Sequence, residues 1–195
     1  MFVRLIRPAV SLLALMTVLL GFVYPLVIAG VAQAAFPRQA QGSLIYQNGK
    51  LIGSELIGQS FSDPKYFWGR PSATTPKAYN GLASTASNLG PLNPALLDAV
   101  KANAKALRDA DPDNRQSIPV DLVTASASGL DPDISPAAAQ YQAARVARVR
   151  HLALASVETL IKTHVRGRLF GLIGEPRINV LELNLALDRL NTVGD

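Results

Sequence analysis

Few residues in this chain have the type and spacing to do chemistry. Ser62-Asp-Pro-Lys65 has the S-x-x-K spacing of serine acyl-transferring enzymes. That chemistry needs a helix that sets the lysine amine one turn from the hydroxyl, and further elements such as K-T-G. Here Pro64 sits inside the tetrapeptide, and Lys162-Thr163 runs on to His164 instead of glycine. His151 and His164 have no second metal ligand at helical spacing, so a metal site is not expected. Asp131-Pro132-Asp133 shares a fragment of a calcium loop but lacks its glycine and closing glutamate, which leaves a turn or cap. No glycine-rich phosphate loop is present, and without cysteine no thiolate zinc site can form. The residues therefore point to a non-enzymatic protein.

What remains is recognition chemistry. Phe61, Tyr66, Phe67, Trp68 and Tyr79 all fall between residues 58 and 93, a stretch otherwise rich in Gly, Pro, Ser and Asn. Disordered chain is poor in aromatics, so an ordered loop pinned by its rings is expected. Rings not used for pinning are anchors for a partner. Tyr66, Phe67, Trp68, Gly69, Arg70 and Pro71 form a dense aromatic–arginine cluster, a composition enriched at interfaces, and are the partner-interface candidates.

The elements that must position this loop begin with an uncharged stretch from Pro8 to Pro37, bounded by Arg7 and Arg38. A hydrocarbon core about 30 Å thick needs ~20 apolar residues. This stretch suffices, with slack for tilt or a kink at Pro25. Ala32-Gln33-Ala34 resembles a signal-peptidase site, but a secretory h-region is only ~7–15 residues long. A retained anchor is the reading. Arg4 and Arg7 on the short side keep it cytoplasmic. The expected plan is a cytoplasmic N-terminus (1–7), a transmembrane helix (8–37) and one soluble extracytoplasmic domain (38–195).

That domain has roughly 155 residues, enough for its own core. The net charge of +5 comes from scattered residues, not a basic run, so nucleic acid is not an expected partner. Asn48-Gly49 between two short apolar runs predicts a hairpin over 43–53 with a type I′ turn. Asn93-Pro94 opens a helix that runs to about Ala110, and Ser135-Pro136 opens another to about Arg150. Further helices are expected over 154–165 and 184–190, and strands over 120–125 and 178–181. Strands and helices mix without a strict βαβ repeat, so the fold class is α+β, one mixed domain behind one membrane helix.

Several strings, taken in order, carry a resemblance. They include Leu5-Ile-Arg-Pro-Ala9, Tyr66-Phe-Trp-Gly-Arg-Pro-Ser-Ala-Thr74 and Val120-Asp-Leu-Val-Thr-Ala-Ser-Ala-Ser-Gly-Leu-Asp131. Ile134-Ser-Pro-Ala-Ala138 and Gly174-Glu-Pro-Arg-Ile-Asn-Val-Leu-Glu-Leu-Asn-Leu-Ala-Leu-Asp188 continue the series. Over nearly its whole length the chain resembles the KdpC family of the Kdp potassium-transporting ATPase. The resemblance implies a non-catalytic accessory protein in a bacterial inner membrane. Its partners would be the channel-like KdpA, the P-type ATPase KdpB, the very small KdpF and membrane lipid. It also implies a catalytic chaperone that raises the ATP affinity of KdpB, with no tightly bound cofactor. Were ATP to touch this chain, Gln142 and Arg145 on the second helix would be the nucleotide-binding candidates; otherwise they lie on an exposed helix face. On residues alone, the alternative is a secreted or membrane-anchored envelope binding protein.

Overall fold

The computed structural model describes residues 2–191. The chain divides into two compact units, one up to Ile52 and one from Gly53 onward.

The first unit is a long helix followed by a hairpin. Helix α1 (Phe2–Val18) runs through a π-helical turn (Leu19–Val23) into α2 (Tyr24–Ala35). Pro25 explains the turn. Its ring has no N–H and crowds the carbonyl four residues back, and the wider π turn takes up the mismatch. From Arg4 to Ala35 the helix spans 32 residues with a mean hydropathy of 2.5 and none of its apolar window buried, so it is long and apolar enough to cross a membrane. It therefore starts earlier than the uncharged stretch, because arginine is a good helix former. It stops at Phe36, whose φ of −138° is imposed by the following Pro37. A single turn, α3 (Pro37–Ala40), leads to β1 (Leu44–Gln47) and β2 (Lys50–Ser54). The two strands pair through Asn48 and Gly49, whose φ angles of 52° and 75° are those of the predicted type I′ turn.

The second unit is a small helical stack with one short ribbon. Helix α4 (Pro94–Ala110) starts where Asn93 accepts a hydrogen bond from the Ala95 amide. Helix α5 (Pro136–Val149) starts likewise, with Ser135 accepting from Ala138. Helix α6 (Leu154–His164) packs on α5, and α7 (Val180–Asn191) packs on α6. Strands β3 (Asp133–Ile134) and β4 (Ile178–Asn179) pair antiparallel, Ile134 opposite Ile178. The core gathers Phe67, Ile134, Ala138, Val146, Val157, Ile178, Leu183 and Leu187, all essentially inaccessible.

One expected strand is not there, and another is shorter than expected. Residues 120–122 form a single 3-10 turn, and the amides of Val123 and Thr124 bond back to the Val120 carbonyl. Local turns satisfy this backbone, so no strand partner is needed. The strand expected over 178–181 ends after Asn179, because the Asn179 side chain accepts from the Glu182 amide and caps α7. Asn179-x-x-Glu182 is a capping-box spacing and was the signal for a helix start four residues before the expected one.

Candidate functional site

Residues 58–93 carry no helix and no strand. The loop is nevertheless ordered, because side chains of α5 and α7 replace the missing backbone partners. Asn184 on α7 accepts from the Phe67 amide and donates through Nδ2 to the Phe67 carbonyl, both at 2.9 Å. Gln142 on α5 does the same for the next residue. It accepts from the Trp68 amide at 2.8 Å, and its Nε2 donates to the Trp68 carbonyl at 3.1 Å. Each amide side chain thus stands in for one residue of a neighbouring strand. Buried backbone groups require such partners.

Arg145, one turn after Gln142, completes the clamp. Its guanidinium donates to the carbonyls of Pro64 and Tyr66, and to Oε1 of Gln142 at 2.7 Å. The same group lies over the Trp68 ring, 4.7 Å from its centroid. Burial pulls its pKa down to about 10, so it stays charged at neutral pH. A second arginine repeats the arrangement at the rim. Arg150 donates to the Lys65 carbonyl and to Asp188, and stacks over Tyr66, whose hydroxyl also reaches Asp188.

The exposed-face expectation for α5 is therefore overturned: Gln142 is 1% exposed and Arg145 2%. The polar atoms named above point inward, onto the loop. Spacing alone hid this. A glutamine and an arginine at i and i+3 look like a solvated face until a loop needs carbonyl and amide partners there. Asn184 was missed for the same reason.

The aromatic–arginine cluster splits. Phe67 is fully buried and belongs to the core, which corrects its placement among the partner-interface candidates. A benzyl ring whose backbone is held by Asn184 has only the interior to enter. Tyr66, Trp68, Gly69, Arg70 and Pro71 stay half-buried. The Trp68 indole N–H donates to the Asp63 carbonyl, and Arg70 pairs with Asp131 at 3.1 Å. A Cβ at Gly69 would lie 2.9 Å from the Tyr79 hydroxyl, so a larger residue there would have to displace that ring. That hydroxyl donates to the Arg70 carbonyl, and burial pushes its pKa up to about 12. Phe61, Trp68, Arg70, Tyr79 and, from α4, Asn103 and Leu107 line a groove of about 190 Å³.

The other motifs found no chemistry. Residues 63–66 form a turn in which Lys65 pairs with Asp63, so Ser62 has no helical lysine beside it. Asp131 accepts from the Asp133 amide in a local turn, the role expected of that tripeptide. Among the described residues no three His, Cys, Asp or Glu side chains could hold a metal ion.

Comparison with known proteins covers almost the whole chain. Residues 6–189 match the family described as "KdpC: K+-transporting ATPase, c chain". The potassium-transporting ATPase KdpC subunit of Dechloromonas aromatica is 61% identical over 187 residues, covering 96% of this chain and 98% of that one. That of Variovorax paradoxus is 64% identical over 185 residues, covering 95% and 96%. That of Methylococcus capsulatus is 62% identical over 184 residues, covering 94% and 97%.

Proposed function

Since the chain belongs to the KdpC family, the c chain of K+-transporting ATPases, we propose that it is the non-catalytic accessory component of a high-affinity, ATP-driven potassium uptake complex. It assembles with the channel-like KdpA, the P-type ATPase KdpB and the small KdpF. The helix from Arg4 to Ala35 spans the inner membrane once, with the N-terminus in the cytoplasm and the unit from Gly53 onward outside. The observation that carries this reading is that helix: 32 residues, no charge between Arg7 and Arg38, and no apolar surface covered by the chain itself.

The outer unit docks on the outer mouth of KdpA through the groove beside Trp68. Its half-buried ring, with Phe61 and Arg70, offers aromatic and arginine surface on a backbone held rigid by Gln142, Arg145 and Asn184. The unit raises the ATP affinity of KdpB by coupling through the membrane. A coupling free energy needs two states that both sites bias, not a nucleotide contact. The inward engagement of Gln142 and Arg145 favours this form of the chaperone role over direct ATP binding. The test is a reporter active only outside the cytoplasm, fused after Asp195. Activity is expected, and a silent fusion refutes the topology. Trp68→Ala is expected to reduce co-purification with KdpA beyond its effect on folding.

A further inference from the structure

Arg166 to Arg177 form a protruding hairpin between α6 and β4. Arg166 and Arg177 pair with each other through both amides, and Leu169 and Ile173 do the same nearer the tip. The tip turns through Phe170 at φ 53° and Gly171 at φ 74°. The side chains there point away from the protein. Phe170 is 86% exposed, Leu172 82%, Ile173 64% and Leu169 59%. Single exposed apolar residues such as Leu82 are ordinary, but four large ones on one convex turn are not.

We infer that this tip inserts into the lipid bilayer that anchors the chain. Three features select a phospholipid surface. The shape is a convex point, which a deformable bilayer accepts without a matching pocket. Most of the tip's backbone donors are also prepared for an apolar medium. The amides of Leu169, Gly171, Leu172 and Ile173 all bond to carbonyls within the hairpin, so burial leaves none of these donors unsatisfied. Charge is the third. Along the sequence, 162–177 carries four cations, Lys162, Arg166, Arg168 and Arg177, and the carboxylate Glu175; in space Arg166 also meets Glu182, and Arg177 meets Asp133. Arg166, Arg168 and Arg177 keep about half of each side chain exposed while paired with acidic neighbours. Half-exposed arginines behind an apolar tip are the arrangement that places guanidinium groups at headgroups and leucine or phenylalanine below them. The tether keeps this contact within reach: the chain from Ala35 to Gly53 cannot exceed roughly 60 Å. The inference rests on the helix from Arg4 to Ala35 being embedded, and holds whichever side of the membrane the unit occupies.

The chain has no cysteine, so Phe170→Cys gives a single labelling site. The full-length variant, carrying an environment-sensitive fluorophore, is reconstituted into vesicles of phosphatidylethanolamine and phosphatidylglycerol. Expected is a shift of emission to shorter wavelength and a loss of emission when the acyl chains are brominated. The same label at Leu82→Cys is expected to show neither. A label at 170 that stays open to iodide and indifferent to bromine, in chain that resists alkaline extraction, overturns the inference but leaves the anchor standing. Alkaline release of the chain overturns both. Shielding at 170 that arises only when KdpA is present also overturns it, in favour of a protein contact.

Discussion

Two segments of the second unit, 60–71 and 166–177, carry aromatic or large apolar residues beside arginine, and they point opposite ways. In the first, the backbone of Phe67 and Trp68 pairs with side chains and not with other backbone. Gln142 and Asn184 supply those side chains, and with Arg145 they pull the segment into the protein until Phe67 is fully buried. In the second, the hairpin bonds the amides of Arg166, Leu169, Gly171, Leu172, Ile173 and Arg177 to its own carbonyls, and Phe170 and Leu172 are left outside. Composition does not decide whether a ring faces inward. The supply of backbone hydrogen bonds does.

The comparison breaks most easily at Arg145. Arg145→Ala leaves the carbonyls of Pro64 and Tyr66 without their donor and takes one of the two hydrogen bonds from the amide oxygen of Gln142. About 3 kcal/mol of stability should be lost, read from denaturant unfolding of the full chain in detergent. Asn184→Ala frees both backbone groups of buried Phe67 and should cost about 2 kcal/mol by the same measurement. A result near zero for either would mean that the loop is held by its rings alone.

A smaller effect lies between the two segments, at Asp133, which pairs with Arg177 of the hairpin base. Burial, and then the Asp131 charge, hold the Asp133 carboxyl above its usual value. The folded state therefore binds this proton more tightly than the unfolded chain does. The penalty is present above the raised pKa and fades as pH falls through it. On going from about pH 7 to about pH 4, stability should move in favour of the natural protein relative to Asp133→Asn. A gap that stays constant with pH would remove Asp133 as its source. The smallest effect is expected at the hairpin tip, where Phe170→Ser should change the unfolding free energy by under about 0.5 kcal/mol. A larger loss would mean that the tip is packed in solution and that the two segments are less different than they look.

Much of the architecture was legible in the chain. Asn48-Gly49, Asn93-Pro94 and Ser135-Pro136 each act within a few residues, through φ angles and caps, and each appears where it was read. The long apolar helix follows from hydropathy alone; at Pro25, where a kink was allowed for, a π turn forms just before it. The 120–125 segment was misread because apolar residues suit a strand only when a partner strand exists. The start of α7 was misread because the Asn179 cap was outweighed by Ile178, Val180 and Leu181.

What the sequence determined by itself was local: where helices begin, where the hairpin turns, and which stretch can leave water. The tertiary structure alone decided the direction of side chains in segments without a period. A helix or strand assigns each side chain a face through its own repeat. An irregular loop does not, so the face of Phe67 depends on which distant groups complete its hydrogen bonds, and the α5 face that carries Gln142 and Arg145 is buried only because that loop lies on it.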